Sequence, residues 1–255
     1  MGRKGHRPDN RQVQQPAGLQ PGWRAVRPLT YVPQSGRGFE LARALVEAHE
    51  AGRLSDDAHA KIGERNIWLD TKRGALRIVY SRVRQGWLPL RERAQRADPQ
   101  HDLYTLPLEA ADLPLAVDVA SYVMLLDATL DTAVSLATCV ERAVVPAAER
   151  TPKATLRALP GVNPDEQRNV LGTVRDAFAH DVAPWLSAIL MRDPNAEPDL
   201  AILTADRQDF ETGTGYVLLS QVFQWAGALD EHLLQLERIL AARLYAAASR
   251  AGPRR

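Results

Sequence analysis

The sequence predicts an all-α protein: a helical bundle with two long antiparallel helices, preceded by a basic helical region and a flexible tail. Three observations predict it. Residues 112–145 carry a wide apolar face through Val117, Ala120, Val123, Met124, Leu126, Leu130, Val134, Ala137 and Val140, at the spacing of an amphipathic helix. Residues 216–248 do the same through Leu219, Val222, Phe223, Ala226, Leu229, Leu233, Leu236 and Leu240. Between about Asp56 and Arg96, the apolar residues Ile62, Leu69, Leu76, Val83 and Leu90 recur seven apart, one stripe of a long helix or helix pair. Faces this wide must be buried, because hiding one leucine from water is worth roughly 1.5–3 kcal/mol.

The elements follow in order. Residues 1–36 are rich in Gly, Pro, Gln and Arg without periodicity and predict a flexible tail, with a short extended piece at Leu29–Val32. Gly38 to Ala51 predicts a helix with Phe39, Leu41, Ala42, Leu45 and Val46 apolar. Ser55, Asp56 and Asp57 supply the start of the next, with a break near Gly86 and Pro89. Asp98-Pro99 through Pro107 predicts a linker, which divides a basic helical region, 37–100, from a second bundle, 108–250. Asp112 is placed to cap the first long helix, with Pro114 in its first turn, and Pro146 stops it. Residues 147–163 predict a loop. Asn163-Pro164-Asp165-Glu166 then opens another helix with a cap, a proline and first-turn acids. Pro184 ends or kinks that helix. Residues 192–214 are irregular, with a short strand at Leu200–Thr204, before the last long helix.

Composition narrows the classes. The 255 residues are 45% hydrophobic and 25% charged, ordinary for a globular protein. The net charge of +1 conceals an asymmetry: residues 1–100 carry 19 Lys and Arg against 10 Asp and Glu, and the remainder is correspondingly acidic. Either the basic half faces a polyanion or the two halves attract each other. Cys139 is the only cysteine. It sits in an apolar run as a small hydrophobe, compatible with a reducing, cytoplasmic setting. Acids interrupt the apolar region at Asp112, Asp118, Asp127, Asp131 and Glu141, so no membrane span is expected. No His-Glu-x-x-His, paired cysteine or Walker loop occurs, so no metal or cofactor is anticipated. Gly36-Arg37-Gly38 and Gly213-Thr214-Gly215 fit linker turns. His232 fits a surface position, and Trp185 and Trp225 fit core anchors.

Two features carry chemistry. The first is a basic series, Arg77, Arg84 and Arg91, one position after the apolar stripe, with Arg73 beside it and Trp68, Tyr80 and Trp87 interleaved. It is either a surface for an RNA backbone, with Arg73, Arg77, Arg84 and Arg91 as contacts, or a solvated face whose arginine stems cover apolar surface. The second is Arg175-Asp176-Ala177-Phe178-Ala179-His180. Arginine grips phosphate oxygens through paired hydrogen bonds, and histidine takes and returns a proton near neutrality. Arg43…His49, Arg53…His59 and Arg96…His101 have compatible spacing but lack the polar residue after the arginine.

On these residues and this helix layout, the segment 112–248 resembles the HEPN family, small all-α bundles with an Arg-x4-6-His motif and a polar residue after the arginine. The resemblance implies RNA cleavage without metal, by attack of a ribose 2′-OH on the adjacent phosphate in a cleft lined by two subunits. It implies Arg175 as the phosphate grip, His180 as acid/base and Asp176 as the polar neighbour. Some members are inactive binding or scaffolding bundles. On an ideal helix Asp176 and His180 share a face, whereas Arg175 and His180 lie about 140° apart. Either a break at Pro184 redirects His180, or a second subunit completes the site. Otherwise Arg175 pairs with an acid of the long helix and His180 packs in the core. The expectation is a homodimeric endoribonuclease, a toxin or defence effector, with RNA as substrate and an antitoxin protein as a candidate partner. The alternative is a non-catalytic bundle that binds a protein or nucleic acid.

Overall fold

A computed structural model describes residues 39–96, 104–106, 110–180, 186–190, 197–203 and 215–250. The expected tail, the Asp98-Pro99 turn, Pro184 and Trp185 lie outside the described residues. The fold is all-α in class. Six α-helices are described: α1 (Phe39–Glu50), α2 (Asp56–Arg96), α3 (Leu113–Val144), α4 (Lys153–Arg157), α5 (Pro164–His180) and α6 (Leu219–Ser249). A small antiparallel sheet accompanies them, in the order β1 (Tyr104–Leu106), β2 (Leu186–Leu190), β3 (Asp199–Leu203) and β4 (Tyr216–Leu218). The strand expected at 200–204 is β3. Strand β1 lies in the stretch expected to be a linker, and β4 takes the first turn expected of the last helix.

Local chemistry sets the helix ends. Gly52 has φ 70°, its N–H bonds the His49 carbonyl at 2.8 Å, and the Arg53 N–H bonds the Ala48 carbonyl at 2.9 Å. This left-handed cap ends α1 at the one turn residue without a Cβ penalty. Ser55 Oγ then accepts from the Ala58 N–H and starts α2. Asn163 Oδ1 accepts from the Asp165 N–H at 3.0 Å and starts α5 as expected. Asp112 does not cap α3: its side chain makes no capping bond and instead pairs with Arg93 at 2.5 Å. The 147–163 stretch is less open than expected, since a 3₁₀ turn at Ala147–Glu149 and helix α4 occupy part of it.

Helix α2 runs unbroken through Gly86 and Pro89, contrary to the sequence expectation. Pro89 and Gln85 are exposed, so the carbonyl released by the proline faces water rather than the core. Gly86 marks a close approach of α2 and α3: a Cβ there would meet Leu115 Cδ1 at 3.3 Å. The heptad stripe is the buried seam, with Ile62, Leu69, Val83 and Leu90 at most 1% exposed and Leu76 packed against their core.

The long helices are packed together, but α3 and α6 run parallel. Tyr122 meets Phe223 at one level, and Glu141 meets Arg243 at another. A connection through α4, α5 and most of the sheet carries the chain back to the starting end. The antiparallel neighbours are α2 and α3, joined by Lys72 to Thr132, Arg82 to Asp118 and Arg93 to Asp112. Among the described residues, α1 and α2 bury their apolar side chains in the same core as α3 and α6, so the regions expected as 37–100 and 108–250 share a core.

The segment 110–144 is long and apolar enough to cross a membrane, by length and composition alone, and most of its apolar window is buried inside the fold. Its acids are ion-paired within the fold: Asp112 to Arg93, Asp118 to Arg82, Asp127 and Asp131 to Arg157, and Glu141 to Arg243.

Candidate functional site

Helix α5 presents the Arg175 motif beside α3 and α4. Its first turns are anchored by Gln167, which is buried. Gln167 donates to the Arg157 carbonyl at 3.2 Å and accepts from the Leu159 N–H at 3.3 Å, tying α5 to the end of α4. That docking carries Arg157 and Arg175 to the same buried carboxylate on α3. Arg157 Nη2 lies 2.7 Å from Asp127 Oδ1, and Arg175 Nη1 lies 3.4 Å from Asp127 Oδ2. Arg157 also pairs with Asp131, one turn further along α3.

These groups border a cavity of about 240 Å³, lined by Asp127, Arg157, Gln167, Arg168, Gly172 and Arg175 among others. Arg168 is mostly exposed and lies 3.6 Å from Asp165. Gly172 leaves the α5 wall bare, because nothing lies within 4 Å of where its Cβ would be. The cavity is therefore lined by three guanidinium groups, two of them on the buried Asp127 carboxylate. Such a set suits an anion: guanidinium groups bind phosphate oxygens bidentately and keep their charge at any accessible pH.

The two halves of the Asp127 clamp differ. The Arg157 contact is short. The Arg175 contact is long, and the Arg175 side chain is 49% exposed. Asp127 is held by Arg157 as well. Asp176 and His180 belong to the same helix, but their side chains lie outside the described residues.

Sequence reasoning passed over Asp127 and Arg157. The available signal was the pair Asp127 and Asp131, one turn apart on an apolar helix, which must find cations if that helix is buried.

The basic series divides. Arg73 is 6% exposed, bonded to Asp230 at 3.0 Å and Glu237 at 2.6 Å on α6. This corrects its assignment as an RNA contact: a buried arginine saturated by two acids presents no charge to solvent. Arg91 lies 2.5 Å from Glu197. Arg77 and Arg84 are exposed, and Arg84 sits over the Tyr80 ring, 5.8 Å from its centroid.

The competing histidines occupy other settings. His49 stacks on His59 with centroids 4.4 Å apart and bonds Asp56 at 2.9 Å. His232, expected on the surface, is half-buried and bonds the Leu156 carbonyl at 2.8 Å, pinning α6 to α4. Trp225 is a core anchor as expected.

Comparisons with family models, with curated protein sequences and with solved structures find no match to this chain.

Proposed function

We propose that the chain is a metal-independent endoribonuclease of HEPN type, working as a homodimer, with Arg175 and His180 as its reacting pair. The observation that carries this reading is the half-exposed Arg175 lining an arginine-rich cavity, 3.4 Å from Asp127. A phosphodiester entering the cavity would replace that contact. Arg175 would then hold the non-bridging oxygens as charge builds on them. His180 would take the proton from the ribose 2′-OH and, once protonated, return a proton to the departing 5′-oxygen. The 2′-oxygen forms a bond to phosphorus as the bond to the 5′-oxygen breaks. The products are a cyclic phosphate and a 5′-hydroxyl. Asp176, one turn before His180, is positioned along the helix to orient its ring. A second copy of the motif is invoked because Arg175 and His180 diverge on a straight helix.

His180→Ala is expected to reduce RNA cleavage in EDTA by about 100- to 10,000-fold, and Arg175→Ala by a similar factor. His49→Ala and His59→Ala should retain activity. The check is a gel assay on total RNA with end-group analysis. A folded His180→Ala that cuts at the wild-type rate would refute the assignment. The Arg175–Asp127 ion pair also favours a second reading, a binding bundle in which the motif is structural. That reading takes over if the wild type cuts no RNA.

The basic face contributes affinity through Arg77 and Arg84. Replacing either by alanine is expected to lower the slope of log affinity against log salt by about one unit for RNA. Arg73→Ala should lower stability instead and leave the slope of the folded fraction unchanged. Filter binding at several salt concentrations separates these outcomes.

A further inference from the structure

We propose that the cleft between α2 and α6 floored by Tyr122 seats a single nucleotide unit, its unpaired base in the aromatic cavity and its phosphate on Arg77 and Arg84. The cavity measures about 270 Å³, at the small end of ligand pockets and suited to one base. Its lining includes Leu76, Tyr80, Tyr122, Phe223 and Gly227. The rings of Tyr80 and Phe223 meet edge to face at 4.8 Å, and Tyr122 meets Phe223 at 5.5 Å. Aromatic walls of this kind hold unpaired bases with little regard to sequence.

Two polar features point to a ligand rather than to packing alone. Tyr122 is 1% exposed and lines the cavity floor. Burial raises its pKa well above the ordinary phenol value, so it stays protonated and can donate to a base carbonyl or ring nitrogen. Asp230, half-exposed at the same cavity, brings a carboxylate to its wall beside its contact to Arg73. Arg77 and Tyr80 line the cavity and Arg84 lies beyond it; the three occupy positions i, i+3 and i+7 of α2 and therefore one face. Neither arginine is ion-paired among the described residues, which leaves both charges for a phosphate.

Gly227 adds a third argument. A glycine inside a helix is unfavourable relative to alanine, and nothing lies within 4 Å of its absent Cβ. Its missing side chain keeps the α6 lip of the cavity open. The nucleotide comes either from single-stranded RNA, in which case the site rests on the RNA reading above, or from the free mononucleotide pool.

The test is calorimetric titration of the full chain with AMP, GMP, CMP and UMP, with the matching nucleosides, with orthophosphate, and with a 2′-O-methyl RNA pentamer that cannot be cleaved. Saturable binding of at least one monophosphate is expected, weaker for its nucleoside and undetectable for orthophosphate. Gly227→Leu fills the open space and improves helix propensity, so it should melt no lower than wild type while weakening the nucleotide about tenfold or more. Tyr122→Phe and Arg77→Ala should each weaken it severalfold. Tighter binding of the pentamer identifies RNA as the source, and equal binding identifies the free nucleotide. His180→Ala should leave the mononucleotide affinities unchanged, so loss of cleavage and loss of this site are separable. Absence of heat with every monophosphate at millimolar concentration overturns the proposal. So does unchanged affinity in Gly227→Leu, or orthophosphate binding as tightly as the nucleotides.

Discussion

Replacing Arg73 with alanine is expected to destabilise the fold by about 3–5 kcal/mol, the usual result of breaking a buried ion pair by removing one partner. Arg73 is 6% exposed and crosses from α2 to α6, where it bonds Asp230 and Glu237. The two acids are not equivalent. Asp230 is half in solvent and can be rehydrated, whereas the Glu237 side chain is mostly buried beside the lost cation. Most of the penalty therefore comes from Glu237. A melting temperature lower by roughly 6–20 °C corresponds to that loss for a chain of this size. Arg73→Met combined with Glu237→Leu removes both charges and keeps the volume, and should recover a large part of the loss. Thermal melts of the two variants provide the check. A double variant no more stable than Arg73→Ala would show that packing at this site outweighs charge.

A second large effect is expected at Glu141. Its carboxylate is 2% exposed and is shared by three donors: Arg243 of α6, the Thr151 N–H at 3.0 Å and the Thr151 hydroxyl at 2.7 Å. One side chain thus fastens α3 to α6 and folds the 145–152 connection back onto both. Glu141→Ala leaves a half-buried N–H and a half-buried guanidinium without their acceptor, and should cost about 3 kcal/mol. Glu141→Gln keeps the shape and one acceptor oxygen, and should cost about half as much. Hydrogen exchange at the Thr151 amide localises the damage. Unchanged protection there in Glu141→Ala would contradict this account.

The helices were legible in the sequence because their periodicity is long and their faces are wide. The seven-residue stripe from Ile62 to Leu90 is the buried seam of α2, and the Asn163 cap starts α5 where expected. The sheet was less legible. Leu186–Leu190 is a short apolar run, and periodicity alone does not separate such a run from helix. Only its pairing with β1 and β3 fixes it as a strand. The relative direction of α3 and α6 was hidden too, because apolar faces specify burial but not which way a connection turns. Arg73 shows a missed signal. It is four residues after Leu69 and three before Leu76, so it belongs to the apolar face, whereas Arg77 and Arg84 sit one position beyond that stripe. At the candidate site, Arg175 could be singled out from its motif. Its neighbours Asp127 and Arg157 come from distant segments and could be brought to it only by the docking of α4 and α5 on α3.

The parallel arrangement of α3 and α6 has a consequence for how the chain reaches this state. Helix α1 packs on α6, and α6 also completes the contacts of α2 and α3. The first described helix thus waits for the last. Pairings so distant along the chain are formed only after most of the loop entropy has been lost, so folding should be slow for a helical protein of this size. During synthesis, the apolar sides of α1, α2 and α3 remain without their common partner until residues 219–249 have left the ribosome. Over that interval the nascent chain carries the surface that chaperones recognise.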